Sequence, residues 1–247
     1  MNARDNIRIA NCSGYYGDKL SAAKELIEGG PIDFLTGDYL AELTMGILYS
    51  QKLKRGEDMG YVGTFLKQYR DVAKTCQAKG IKIVVNAGGL NPKSMANELN
   101  KINEELSLEM SVAYIDGDDI VDDLSTLQDQ GEEFIHLDKH VPISSSGCEI
   151  ITANVYLGAW GIVKALDLGA DVVICPRVTD ASLVIGPAAW KFGWKRDDFD
   201  KLSGALAAGH IIECGAQTTG GNYAFFEEVE TFKDIGYPIA EIYEDGS

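Results

Sequence analysis

Five short apolar runs rich in Val and Ile recur along the chain, at residues 7–12, 32–36, 81–85, 110–115 and 172–175, and sequence of helical character follows each of them. Runs of this length and branching suit strands covered on both faces. Strands that alternate with helices need crossover connections, and those connections produce a mainly parallel sheet with helices on both sides. The expected fold is therefore α/β, an open three-layer, Rossmann-like architecture, as a single domain over residues 1–247. A chain of 247 residues with 45% hydrophobic content has the material for such a core.

In open parallel sheets, ligands bind beyond the carboxyl ends of the strands. Polar residues stand at those places in every run. Ser13 and Gly14 open the loop after the first, Asp38 follows the second, and Asn86, Gly88 and Gly89 follow the third. Asp116, Asp118 and Asp119 follow the fourth, and Arg177, Thr179 and Asp180 follow the fifth once Pro176 has broken it. Each has a plainer reading. Asp18, Asp38 and Asp180 suit helix capping, Glu42 suits a first helical turn, Gly88-Gly89 suits a tight turn, and Asp116 to Asp119 suit capping with solvated charge. Adjacent glycines also let backbone amides approach an anion. Gly14 and Gly17 lack the GxGxxG spacing, so the first strand gives no dinucleotide signal.

Residues from about 119 to 155 lose regular periodicity, as an irregular lid or interface segment would. His136 and His140 lie there four apart, but Pro142 argues against a helix and leaves them as surface histidines. The densest chemical sequence comes later, from Gly209 to Asn222. His210, Glu213 and Cys214 fall within five positions, and Thr219, Gly220 and Gly221 offer backbone amides. His210 with Cys214 would start a zinc site, yet no third ligand stands at suitable spacing. An acid–base pair of His210 and Glu213 requires fewer assumptions, so no metal and no cofactor is expected.

The formal charge of −16 disfavours nucleic acid and anionic membrane. No apolar run approaches a membrane span and no leader-like start is visible, so the expected location is cytoplasmic, without a membrane partner. Five scattered cysteines without a CxxC pair fit reduced, mostly buried thiols.

Four stretches then carry a resemblance: Gly37 to Met45, Asn86 to Pro92, Arg177-Val178-Thr179-Asp180, and Gly209-His210 through Thr219-Gly220-Gly221. Together, in this order, they resemble the acyclic terpene utilisation family, AtuA. The resemblance implies a role in breaking down citronellol- and geraniol-like compounds as coenzyme A thioesters, with a small acyl molecule as substrate. It also implies a longer protein than this one, since typical members continue past their equivalent of Tyr237 to Ala240. The expectation is therefore a fold incomplete relative to those members, completed by a second polypeptide or used as a homo-oligomer.

The reaction expected is that of a cofactor-independent lyase, a hydratase or dehydratase, on a branched acyl thioester or carboxylate. His210 and Glu213 are the expected acid–base pair, with Asp38 and Asp180 as orienting or alternative acids. Arg177, Thr179, Asn86, Ser13, Gly14, Gly88, Gly89, Thr219, Gly220 and Gly221 are the expected substrate contacts. Two further readings stand beside it: a half-site subunit of a hetero-oligomeric acyl-CoA enzyme, and a metal-dependent hydrolase using Asp38, Asp116, Asp118 and His210.

Overall fold

The structure is a computed structural model that describes residues 5–233 and 235–247. Its centre is an open six-stranded sheet of β1 (Asn6–Asn11), β2 (Phe34–Gly37), β3 (Lys82–Val85), β4 (Val112–Tyr114), β5 (Val172–Ile174) and β6 (Ile239–Tyr243). The order is β4-β5-β3-β2-β1-β6; β1 to β5 run parallel and β6 joins β1 antiparallel.

The helices are α1 (Ala22–Gly29), α2 (Glu42–Arg55), α3 (Gly63–Lys79), α4 (Pro92–Leu106), α5 (Leu124–Asp129), α6 (Trp160–Asp167), α7 (Ser182–Phe192) and α8 (Phe199–Glu213). Successive strand residues point to opposite sides of the sheet, and this alternation divides the core in two. Ala10, Cys12, Leu35, Ile83, Val85 and Ile174 pack with α1, α3 and α4 on one side. Ile9, Phe34, Val84, Val173 and Cys175 pack with α6, α7 and α8 on the other. The α/β, three-layer expectation is thus met.

Several local expectations are not met, each for a visible reason. Asp18 does not cap α1, which starts four residues later; its carboxylate accepts from Gly14 N at 3.0 Å and from the Tyr237 hydroxyl at 2.8 Å. Asp38 does not cap α2, whose preceding residue is Ala41. The sixth strand was hidden because Ile239–Tyr243 is an edge strand with mostly exposed side chains and no apolar run. Three cysteines are buried, but Cys148 and Cys214 are exposed.

The irregular segment leaves the body and returns to it at a fixed point. Asp118 is buried, and its Oδ2 accepts from Asn154 Nδ2 at 2.8 Å and from Arg177 N at 3.2 Å. Asp118 is therefore a pin between the segment and the strand end of β5, which corrects its reading as a solvated helix cap. His136 and His140 are exposed, and His136 Nδ1 accepts from the amide of Asp138 at 3.1 Å. No helix among the described residues is long and apolar enough to cross a membrane.

Candidate functional site

Parallel strands end on one side of the sheet, so the residues after β1, β2, β3 and β5 share a rim. Asp38 is its most constrained member. It is 6% exposed, and Asn86 Nδ2 donates to its Oδ1 at 2.5 Å. Asn86 is fully buried and its Oδ1 accepts from Tyr39 N at 2.7 Å, which fixes the amide's orientation. Asn86 therefore positions Asp38 and has no surface left for a substrate, contrary to expectation. The Leu40 amide also reaches Asp38 Oδ1, at 3.4 Å, while Oδ2 has no hydrogen-bond partner among the described residues.

A carboxylate in that position is costly to ionise. Burial pushes Asp38 up to about 6, the Asn86 hydrogen bond pulls it down, and the charge of Asp180 pushes it up again.

The second part of the rim is built by the contact of α7 with α8. Ala181, just before α7, has φ +63°, in the left-handed region that a residue with a Cβ rarely adopts. A Cβ on Gly209 of α8 would lie 2.7 Å from the Cβ of Ala181, so only glycine allows the helices to meet there. Their approach brings together Asp180, His210 and Glu213, whose ligand-type atoms all lie within 4.8 Å of one another. Asp180 does not cap α7, which has no side-chain cap, and it stands exposed at the rim.

The end of α8 is anchored to β1. Asn11 Nδ2 donates to the Glu213 carbonyl at 2.8 Å, and a Cβ on Gly14 would stand 2.7 Å from that carbonyl oxygen. Gly14 and Ser13 thus receive the end of α8, and the Ser13 hydroxyl is engaged by the carbonyl of Tyr15 at 2.9 Å. Half-buried, Glu213 is pushed up to about 7 by burial first and then by the charges of Asp38 and Asp180, against His210 and Arg177. The charges of Asp38, Asp180, His210 and Arg177 therefore all reach Glu213.

Arg177 lies to one side of this group. It is 5% exposed, donates to the carbonyl of Leu40 and, at 3.2 Å, to Glu42 Oε1, and lies 4.3 Å from the ring centre of Tyr156. The Tyr156 hydroxyl donates to the same Glu42 carboxylate. A cavity of about 290 Å³ opens beside these residues, also lined by Met45, Thr152 and Asn154. Neither Tyr156 nor Asn154 was legible as a site residue, because Asn154 lies in the stretch without periodicity and Tyr156 stands directly after it, before α6 begins at Trp160.

The family comparison bears on this rim directly. The model of the acyclic terpene utilisation family protein AtuA matches residues 7–247. The chain belongs to this family. AtuA membership suggests a role in acyclic terpene utilisation. No match was found among curated proteins or among solved structures. The four stretches that carried the resemblance hold Asp38, Asn86, Arg177, Asp180, His210 and Glu213, so this AtuA chain folds its distinctive sequence around one rim.

The glycine-rich turns do not provide the free amides expected of them. Gly88 N donates to Cys175 O at 3.1 Å and Gly89 N to Asn86 O at 3.3 Å. Gly88 is glycine because a Cβ would lie 2.6 Å from Pro92 and 2.7 Å from the Cys175 carbonyl. Gly220 N and Gly221 N are likewise engaged, by Gln217 O at 3.4 Å and Ala216 O at 2.7 Å. Thr219 donates to backbone carbonyls and with Gly220 lines a separate cavity of about 390 Å³ beside Tyr223 and Phe232. The Thr179 hydroxyl pairs with that of Ser182 at the start of α7. The quartet Asp38, Asp116, Asp118 and His210 is not brought together, since Asp118 is bound to Asn154 and Arg177.

Proposed function

We propose that this AtuA chain is a lyase of the hydratase or dehydratase kind, acting on a branched acyl thioester or carboxylate, with Asp38 as the group that moves the proton. The observation that carries this reading is the Asp38 side chain, 6% exposed at the rim, with one oxygen held by Asn86 and the other without a hydrogen-bond partner among the described residues. A carboxylate so held, with its proton affinity raised to about 6, is basic enough to take a proton and acidic enough to return it near neutral pH.

In the hydration direction, water adds across the double bond of an enoyl group. Its oxygen bonds to the β carbon while its proton passes to Asp38 Oδ2. The double-bond electron pair moves toward the carbonyl, leaving an enolate, and the proton then goes from Asp38 to the α carbon. One water is consumed and the carboxylate is regenerated; dehydration is the reverse. In this reading His210 and Glu213, the acid–base pair expected from the sequence, meet the substrate's oxygen together with the neighbouring Asp180. Arg177 is turned to Leu40 and Glu42, so its part in this reading is to support the wall of the cleft.

The test uses branched enoyl thioesters of acyclic terpenoid acids, and the corresponding free acids, with hydration followed by loss of the conjugated absorbance. Asp38→Asn should lower turnover by roughly 100-fold or more, the range for loss of a general base, with an unchanged circular dichroism spectrum. Wild-type rates in that variant, or no hydration of either substrate form by the native protein, would overturn the reading.

A further inference from the structure

The geometry points to a binding site for one first-row divalent cation, of the Zn²⁺ or Mn²⁺ type, formed by Asp180, His210 and Glu213 beside Asp38. The three side chains come from two elements, the turn before α7 and the last turn of α8, and their ligand-type atoms lie within 4.8 Å of one another. A cation bound at about 2.1 Å holds neighbouring ligand atoms about 3 to 3.5 Å apart. The side chains must therefore close by less than about 2 Å, and Asp180 and His210 are exposed enough to rotate.

Two further observations point to a ligand. His210 Nδ1 lies 3.0 Å from the carbonyl oxygen of Leu206, which can only accept, so Nδ1 carries the hydrogen and Nε2 the lone pair. Metal-binding imidazoles are prepared in this way, the second nitrogen donating to a carbonyl or carboxylate. The other observation is Asp38, which is 6% exposed and whose Oδ2 lacks a protein partner among the described residues. Its charge reaches Glu213, and the charge of Asp180 reaches it. Two carboxylates meet here with His210, and among the described residues neither they nor Asp38 form an ion pair with lysine or arginine.

Two carboxylate oxygens and one imidazole nitrogen suit a borderline transition cation better than Ca²⁺, which takes six to eight oxygens. Three protein ligands leave positions open for water or a substrate oxygen. The function of the ion rests on the hydratase reading: it would receive the enolate oxygen, which the surrounding carboxylates would otherwise repel. Its binding does not depend on that reading. The site also explains why the sequence offered no metal template, since Asp180 is 30 residues away from His210.

The test is calorimetric titration of the chelator-treated full chain with Zn²⁺ and with Mn²⁺, in the absence of substrate. The expected result is one saturable equivalent per chain. Affinity should fall at least tenfold in Asp180→Asn and in His210→Ala, and stay unchanged in His136→Ala, with circular dichroism confirming that each variant is folded. No saturable binding, or equal binding in all variants, overturns the site. Binding without hydration upholds the site and overturns only the proposed reaction. Full hydration by a chelated protein that binds no ion overturns the site and leaves the hydratase standing.

Discussion

Two groups of charged side chains meet at the ends of the strands, and they differ in how completely the protein satisfies them. Around Arg177 every strong partner is internal: the Leu40 carbonyl, Glu42 and the face of Tyr156 surround the guanidinium, and Asp118 takes the backbone amide. Around Asp38 the carboxylates of Asp180 and Glu213 face one another with His210 and without a paired cation among the described residues. Buried polar groups are ordinarily partnered, so a closed group marks structure and an open one marks a place for a ligand. On that basis Arg177, expected from the sequence as a substrate contact, belongs to the scaffold, and Asp38 is the residue to which the chemistry is assigned in the proposed reading.

The strongest way to break this contrast is Arg177→Ala. Removing the guanidinium leaves the Leu40 carbonyl without its donor, takes one of two donors from Glu42 and removes the support beneath Tyr156. Glu42 is exposed to solvent, so the cost falls on the buried Leu40 carbonyl left without its donor, about 1–3 kcal/mol, with the lost packing of the arginine side chain adding to it; urea denaturation at neutral pH would register this as a fall in the midpoint. A loss below about 1 kcal/mol, typical of an exposed pair, would show that the Arg177 group is open.

Asp38→Asn should act in the opposite direction. Asp38 holds its proton up to about 6 in the folded chain but releases it near 3.8 when unfolded. Its contribution is therefore fully present below the unfolded value and is lost as the pH rises through about 6. The shift corresponds to about 3 kcal/mol at pH 8, with burial first and then the charge of Asp180 opposing ionisation, and the Asn86 hydrogen bond, the Leu40 amide and Arg177 favouring it. The variant should be more stable than the native chain at pH 8, equal to it near pH 3.5, and inactive. Equal stability at both pH values would show that Asp38 already has a compensating partner.

The third prediction concerns how the open group is assembled. Gly209→Ala places a Cβ 2.7 Å from that of Ala181, and neither atom is the end of a flexible side chain. Overpacking of this kind costs typically about 1–3 kcal/mol, and alanine returns up to about 1 kcal/mol through helix propensity. The net loss of stability should thus be about 1 kcal/mol, but the divalent-ion affinity should fall much further, because the helices separate where His210 and Asp180 meet. Native ion affinity in this variant would show that the cluster does not depend on the helix contact.

How much of this was legible follows from which contacts are local. The strands of the parallel sheet could be read because each is a short apolar run, and the rim could be read because every parallel strand ends on it. The partners of individual polar residues could not. Asp38, Asp118 and Asp180 look alike in sequence, each an aspartate shortly after a strand. One is held by Asn86, one by Asn154 and Arg177, and one stands exposed beside His210. Those fates are set by contacts 30 or more residues apart, between elements whose order in the sheet was unknown. The glycines misled for a related reason: Gly88 packs closely against Cys175 and Pro92, and Gly14 against the Glu213 carbonyl, which sequence spacing does not distinguish from ligand binding.

The smallest expected effect is that of Glu42→Gln, and it sharpens the first comparison from within the closed group. Glu42 accepts from the Tyr156 hydroxyl and from Arg177, and these contacts, the tyrosine's first, hold its carboxyl below the ordinary value. A lowered carboxyl stabilises the fold above its ordinary pKa and loses that contribution as the pH falls. The Glu42 side chain is 77% exposed, however, so solvent screens the pair and its removal should cost less than about 1 kcal/mol at pH 7, vanishing toward pH 4. The contrast with Arg177→Ala is the informative quantity. Arg177 is held by the Leu40 carbonyl and the Tyr156 ring as well as by Glu42, so loss of the exposed partner should leave it in place. If Glu42→Gln were as damaging as Arg177→Ala, the guanidinium would depend on that one carboxylate, and it would be free to turn toward an anionic substrate once the carboxylate was neutralised.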